Sequence, residues 1–227
     1  MKILRNITNI VLISIIAICG FKIYEKFAEY KKADKSYEQI RIEKEENEEN
    51  LYEKYEDYRG WINIKNTNIN YPIVQGKDNA FYLDKDINKN YTSSGSIFMN
   101  YLNNGFNDEN TVLFGHHMRN KTMFAQLKKY KEKEFFYGDN DIEIEVEDGK
   151  ILKYKVFSAY ITDASDNYTQ TNFDSNDEYN KFLEKIKNKS IYKSDIDVNE
   201  NDKIITLSTC SYEFDDARMV IHGKLLK

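Results

Sequence analysis

The beginning of the chain divides into an apolar run and a charged segment. Residues 7–24 are apolar except at Thr8, Asn9, Ser14, Gly20 and Lys22. As an α-helix this run would rise roughly 27 Å, close to the thickness of the hydrocarbon core of a bilayer. Lys2 and Arg5 precede it, which favours a cytoplasmic N-terminus at residues 1–6 and export of the remainder. No small-x-small cleavage pattern follows, so we expect a retained, single-pass signal-anchor; a buried core helix is the alternative.

The charged segment covers residues 25–58 and contains neither Gly nor Pro. Its aromatic and aliphatic residues are spaced irregularly among lysines and glutamates. This composition predicts one or two helices that form a stalk between the membrane and the following domain.

From Gly60 onward, short β-type segments alternate with turn residues. The pattern predicts strands at residues 61–64, 69–74, 96–100, 111–115, 142–146, 151–161, 203–209 and 217–226. Asp148-Gly149 is a strong hairpin signal between two of these strands. Helical spacing interrupts the strands at residues 122–130 and 177–188. Many short strands with few helices favour an antiparallel barrel or sandwich over residues 59–227.

Composition narrows the chemistry that this domain could perform. The 227 residues include 38 acidic and 33 basic side chains, and 41% are hydrophobic, which is enough for a folded core. The net charge of −5 argues against an obligate nucleic-acid binder. Two cysteines and three histidines are too few for a disulfide framework or a zinc cage. No metal-ligand spacing, nucleotide loop or cofactor motif is present, so we expect no metal and no cofactor.

One cysteine is a candidate nucleophile. Cys19 lies within the apolar run, so Cys210 has no disulfide partner in the exported part of the chain. An unpaired thiol near a suitable histidine is typical of nucleophilic catalysis, and a cationic neighbour is needed to form the thiolate. The alternative at this point is an inert, buried thiol.

An arginine lies close to Cys210 in the predicted topology. Residues 211–216 form a turn between two predicted strands, and the resulting hairpin brings Cys210 and Arg218 onto neighbouring strands. A guanidinium at this position could hold a substrate carbonyl or stabilise an oxyanion. Alternatively, Arg218 is a surface charge that pairs with Asp215 or Asp216.

Three histidines are candidates for the acid–base group. His222 lies roughly 13 Å beyond Arg218 on the same strand, too far to serve the same carbonyl. His116 and His117 follow the strand predicted at residues 111–115. Because adjacent strand residues point to opposite faces, only one of the two should reach the thiol, and the other should be a solvated loop residue.

Several motifs resemble those of the sortase family. Thr206-Leu-Ser-Thr-Cys210, with Arg218 eight residues later, resembles the active-site strand and arginine of sortases. Phe114-Gly-His-His-Met118 and Thr122-Met-Phe resemble the segment that holds their catalytic histidine. The opening strands resemble those of class B sortases at Gly60-Trp-Ile-Asn-Ile, Tyr71-Pro-Ile-Val-Gln-Gly-Lys-Asp-Asn79 and Gly95-Ser-Ile-Phe-Met99. The likeness extends from about residue 51 to the end of the chain.

This resemblance implies a fold and an activity. The fold would be mainly β, with N-terminal helices, an antiparallel β-barrel of about eight strands, and the helix at 177–188 inserted between two late strands. The activity would be that of a membrane-anchored cysteine transpeptidase on the extracellular face of the cell membrane. It would cleave a C-terminal sorting motif of secreted proteins at a Thr carbonyl, through a thioacyl-enzyme. The acceptor would be an amine of a peptidoglycan precursor or cross-bridge, or of a pilin.

The resemblance also implies roles for individual residues. Cys210 would attack the carbonyl, His116 would transfer protons, and Arg218 would bind the substrate backbone or the oxyanion. Positions similar to the substrate groove of class B enzymes are Ser208, Thr209, Asn79, Leu83 and Tyr168. Leu83 could instead pack in the core, and Asn79 and Ser208 could be ordinary turn or strand-end hydrogen-bonding residues. The motifs cleaved by class B enzymes include the Asn-Pro-Gln-Thr-Asn and Pro-Pro-x-Thr-Gly kinds.

Two other classes of protein fit the same residues less well. Papain-like wall peptidases place Cys before His, and L,D-transpeptidases require a glycine before the cysteine and an arginine close after it. Thr209 and the gap from Cys210 to Arg218 disagree with the second pattern. A non-catalytic, membrane-anchored surface domain would leave the unpaired exported thiol unexplained.

Overall fold

A long N-terminal helix precedes a β-barrel. The structure, a computed structural model, describes residues 2–46 and 49–226. Helix α1 (Lys2–Glu46) is continuous, and α2 (Glu49–Lys54) follows it. By length and composition α1 contains one segment able to cross a membrane, and no residue of that segment is buried against the rest of the chain.

The second half of α1 packs on the barrel. Ala33, Tyr37 and Ile40 lie on one face of the helix and are buried. The Tyr37 ring packs edge-on against Tyr71, with ring centroids 5.3 Å apart. Ile40 shares a cluster with the buried Leu51 of α2. Of the segment predicted as a stalk, residues 25–46 and 49–54 are therefore helical, and the second half of α1 is docked on the domain that follows.

Eight strands build the barrel, and their positions agree with the hydrophobic pattern to within a few residues. The strands are β1 (Tyr58–Ile64), β2 (Asn70–Val74), β3 (Ile97–Met99), β4 (Asn110–Phe114), β5 (Ile142–Glu145), β6 (Ile151–Asp163), β7 (Ile204–Cys210) and β8 (Ala217–Leu225). The predicted hairpin joins β5 to β6, with Gly149 in the left-handed region at φ +67°.

The barrel closes in the order β1-β2-β3-β4-β7-β8-β6-β5, with β5 pairing back to β1. The predicted fold class, a β-barrel of about eight strands with added helices, is confirmed, but two of its strand pairings are parallel and not antiparallel as expected. Within the described ranges, β2 pairs with β3 and β4 pairs with β7 in parallel. Parallel neighbours need a long crossover connection, and both of these pairs are joined by one. The hydrophobic pattern of the strands does not show whether two neighbouring strands run parallel or antiparallel.

Two predicted helical intervals differ in their outcome. Helix α4 (Asn176–Asn188) lies between β6 and β7 and buries Tyr179, Phe182, Leu183 and Ile186, the face that its spacing predicts. The interval predicted at 122–130 is instead a 3-10 helix, Phe124–Lys131, followed by the short α3 (Lys133–Phe136). Met123 has φ +54°, so an α-helix that starts at Thr122 is interrupted at its second residue.

Candidate active site

A cavity of about 330 Å³ lies where β4 and β7 end, and every site residue that the sequence predicts lines it. The lining residues are Asn79, Leu83, Phe98, Phe114, Gly115, His116, Ala164, Tyr168, Thr169, Ser208, Thr209, Cys210 and Arg218. Leu207 of β7 points into the barrel core, so by strand alternation Ser208 and Cys210 point outward. The cavity is therefore on the outer face of the barrel.

Cys210 and Arg218 face each other across the β7–β8 hairpin, where they are direct partners in the antiparallel register. The guanidinium Nη1 donates to the carbonyl oxygens of Asp216 at 3.2 Å and Ala217 at 3.1 Å. The hydrogen bonds of Arg218 thus go to backbone carbonyls of the turn, not to its carboxylates as the surface-charge alternative requires. The thiol and the guanidinium are neighbours, as the hairpin spacing predicts.

The parallel pair β4–β7 brings a histidine to the other side of Cys210. Phe114 is in register with Ser208, and the Gly115 N–H donates to the Ser208 carbonyl at 3.2 Å. Two residues further along the chain are His116, just past the end of β4, and Cys210, the last residue of β7. Because alternate residues share a face, both side chains lie at the same rim of the barrel.

His116 is oriented by a backbone carbonyl. Its Nε2 lies 2.6 Å from the carbonyl oxygen of Leu83, and a carbonyl can only accept, so Nε2 carries the proton. In the neutral imidazole the basic nitrogen is then Nδ1. The Leu83 side chain is 44% exposed, which rules out the core-packing alternative for this residue.

The loop that presents the Leu83 carbonyl is held by Gly95. This glycine has φ +53°, and a Cβ at its position would lie 2.8 Å from the carbonyl oxygen of Tyr82 and closer still to that of Leu83. The Tyr37 hydroxyl of α1 donates to the Gly95 carbonyl. Helix α1 therefore supports the loop that orients His116.

Gly115 is required by a close approach. A Cβ there would lie 2.8 Å from the Phe124 ring and would also collide with Ile97. The glycine before the histidine pair thus lets β4 pass the 3-10 helix closely enough to pair with β7.

The predicted substrate-groove residues form a polar wall. Tyr168 and Ser208 are buried and share a hydrogen bond of 3.0 Å between their hydroxyls. Burial raises the pKa of Tyr168, so the phenol stays protonated at neutral pH. Asn79 accepts from the Tyr101 N–H at 3.0 Å. Among the described residues, the buried hydroxyl of Thr209 has no hydrogen-bond partner.

The remaining two histidines differ from each other. His222 is fully buried away from the cavity, with Nε2 3.0 Å from the Tyr160 hydroxyl and Nδ1 2.8 Å from the Thr206 hydroxyl. Burial lowers its pKa to about 3. His117 was expected to be a solvated loop residue, but its Nδ1 lies 2.9 Å from the Cys210 carbonyl oxygen. Strand alternation predicts which histidine side chain can reach the Cys210 thiol. It does not predict a contact between the other histidine and the Cys210 backbone.

The part of the chain that the structure describes holds no group of three or more His, Cys, Asp or Glu side chains arranged to bind a metal ion.

Comparison with known proteins identifies the family. Residues 62–226 match the sortase domain. The chain is 40% identical to sortase B of Staphylococcus aureus over 171 residues. This matched region covers 74% of this chain and 70% of that protein. The structure of Clostridium perfringens sortase B matches with 43% identity and a TM-score of 0.76, over 80% of this chain and 100% of that one. A Staphylococcus aureus sortase B–substrate complex matches with 34% identity and a TM-score of 0.80, over 88% and 99% of the two chains.

The closed barrel and these relatives together define a cysteine transpeptidase of the cell envelope. The chain belongs to the sortase family, and within it to the class B type. The family resemblance drawn from its motifs is confirmed, as is the sortase transpeptidase activity. Sortases act on sorting-signal substrates, so the wall-peptidase, L,D-transpeptidase and non-catalytic alternatives are set aside.

Proposed function

We propose that Cys210 is the nucleophile that cleaves the sorting motif at its Thr carbonyl, with His116 and Arg218 as its catalytic partners. One observation carries this proposal. Cys210 lies in a single cavity between Arg218, its partner across β7–β8, and His116, which follows the strand paired with β7 on the other side.

The steps follow from these three groups. The Cys210 thiol transfers its proton to Nδ1 of His116, and the thiolate attacks the Thr carbonyl carbon. Arg218 stabilises the negative charge that develops on the carbonyl oxygen. The C–N bond then breaks, the leaving amine takes the proton from His116, and a thioacyl-enzyme remains. An acceptor amine attacks this thioester and gives its proton to His116. The C–S bond breaks, and the departing thiolate takes the proton from His116, which restores the thiol.

The polar wall of the cavity fits the binding of an extended peptide. Ser208, Tyr168 and Asn79 offer hydroxyl and amide groups, and the exposed Leu83 offers an apolar contact. These residues would set the register of the motif against the thiol.

We also propose the cellular arrangement. Residues 7–24 of α1 would cross the cell membrane once, with residues 1–6 in the cytoplasm and the barrel domain, residues 59–227, on the extracellular face. The exposed apolar surface of this part of α1 and the preceding Lys2 and Arg5 support that orientation. Residues 25–58 would hold the barrel near the membrane, where secreted substrates and the amine of a peptidoglycan precursor or cross-bridge meet.

The test uses the full-length protein in detergent with quenched fluorogenic peptides of the Asn-Pro-Gln-Thr-Asn and Pro-Pro-x-Thr-Gly kinds. We expect cleavage of one kind, a thioacyl adduct on Cys210 by mass spectrometry, and a transfer product when a glycine oligopeptide supplies the acceptor amine. Cys210→Ala and His116→Ala should abolish cleavage, whereas Cys19→Ala should not. Retained cleavage by Cys210→Ala would overturn the mechanism.

A further inference from the structure

The side chain of His117 contacts the backbone of the proposed nucleophile. Its Nδ1 lies 2.9 Å from the carbonyl oxygen of Cys210, and because a carbonyl can only accept, Nδ1–H is the donor. We propose that His117 is a positioning residue of the transpeptidation reaction, which holds the Cys210–Ser211 peptide in the orientation that aims the thiol. This inference rests on the proposed role of Cys210.

The contact takes the place of a missing ladder bond. In the parallel β4–β7 pair, the Gly115 N–H donates to the Ser208 carbonyl. The next bond of a regular ladder would join the N–H of residue 117 to the Cys210 carbonyl. Strand β4 has already ended at Phe114, and the His117 ring supplies the donor instead.

The peptide that follows Cys210 is held at both ends. Its carbonyl accepts from His117, and its N–H, which belongs to Ser211, donates to the Ala217 carbonyl at 2.8 Å. With both polar groups bonded, the plane of this peptide has one orientation. The direction of the Cys210 Cα–Cβ bond, and therefore the region that the sulfur can reach, follows from that orientation.

His117 is itself fixed by its neighbours. Its backbone forms an antiparallel bridge with Met123. Its ring meets the Tyr212 ring edge-on, with centroids 5.2 Å apart, and the Tyr212 hydroxyl donates to the His117 carbonyl at 3.3 Å. The Tyr212 N–H donates to the Glu213 carboxylate, which forms an ion pair with Lys131 at 2.5 Å. The turn after Cys210 and the loop after β4 are thereby held to each other through this histidine.

Three substitutions separate positioning from packing. Asn carries its amide N–H at nearly the position of the imidazole Nδ1, whereas Gln carries the same group one bond further from the backbone. In full-length protein, we expect His117→Ala and His117→Gln to lower kcat for the fluorogenic sorting peptide about ten-fold, with KM changed less than two-fold. His117→Asn should restore kcat to within about two-fold of the wild-type value.

The controls make each result decisive. Arg119→Ala changes an exposed residue of the same loop and should leave kcat and Tm unchanged. If His117→Ala has the kcat of the wild type, the positioning role is overturned. The proposed function is left intact in that case, provided that Cys210→Ala is inactive. Equal loss in the Ala, Asn and Gln variants, with a matching fall in Tm, would also overturn it, because packing alone would then explain the effect. Cleavage by Cys210→Ala would instead refute the proposed function.

Discussion

Cys210 and Arg218 are direct partners on the antiparallel strands β7 and β8. The turn between them is short enough for the sequence to predict this neighbour relation. Arg218 hydrogen bonds to the backbone carbonyl oxygens of Asp216 and Ala217, which hold its guanidinium at the wall of the cavity.

Substitution of Arg218 tests the value of this charge. We expect Arg218→Ala to lower kcat/KM for the fluorogenic peptide by roughly 10²- to 10³-fold, the range typical of losing an oxyanion donor. Arg218→Lys should be intermediate, because it keeps the charge but not the planar fork of donors. Tm should change little in either variant. Unchanged kcat/KM in Arg218→Ala would contradict the assigned role.

Two glycines with left-handed backbones form a matched pair. Gly95 has φ +53° and Gly105 has φ +60°, but only Gly95 has backbone carbonyls within contact distance of an added Cβ. We expect Gly105→Ala to cost only the left-handed strain, about 1 kcal/mol, with normal activity. Gly95→Ala should cost about 3 kcal/mol or more and displace the Leu83 carbonyl from His116, so that kcat falls as well. Equal effects in both variants, measured by thermal unfolding and peptide turnover, would refute the link from Gly95 to His116.

The buried His222 predicts an acid-dependent loss of stability. The Thr206 hydroxyl donates to Asn110 at 2.7 Å, so it accepts from Nδ1–H of His222, and Nε2 accepts from Tyr160. Nε2 is the acceptor because the buried ring is neutral, since burial lowers the pKa of His222 from 6.5 to about 3. Between these values the unfolded chain binds a proton that the folded chain does not. The free energy of unfolding should therefore be highest above pH 6.5. It should decrease as the pH is lowered below that value, by up to about 1.4 kcal/mol per pH unit.

Urea unfolding between pH 5 and pH 6.5 measures this slope. His222→Gln should be less stable at neutral pH but should lack most of the pH dependence. This window lies above the ordinary pKa values of carboxyl groups, which are about 4. Burial alone would raise the pKa of Asp166, but hydrogen bonds from Lys185 and Lys189 outweigh it and lower this pKa to about 2. A wild-type slope preserved in His222→Gln would disprove the assignment.

Truncation tests how α1 is attached. Removal of residues 1–25 should leave a soluble protein with unchanged turnover of the peptide, because the packed face of α1 is retained. Removal of residues 1–48 would also remove the buried Ala33, Tyr37 and Ile40, and should lower the free energy of unfolding by about 3 kcal/mol or more. Comparable Tm values for the two truncations would mean that the second half of α1 does not support the barrel.

Local pattern was enough to predict most of the elements. Strand alternation, the Asp148-Gly149 turn and the amphipathic face of α4 depend on neighbouring residues, so they can be read without knowing the fold. The same holds for the Cys210–Arg218 pair, since only a short turn separates its strands. The spacing does not predict the 3-10 helix after Met123, because neither the positive φ of Met123 nor its bridge to His117 is visible in a local hydrophobic pattern.

The sequence by itself determined the apolar helix, the strand-rich domain and the thiol of Cys210 with an arginine beside it. Only the tertiary structure decided what lies on the other side of that thiol. Along the chain, β4 and β7 are separated by the 3-10 helix, α3, two other strands and α4, and their parallel pairing depends on how these connections cross the barrel. That pairing brings His116 to the rim beside Cys210 and the His117 ring to its carbonyl, because parallel strands end at the same edge of a sheet.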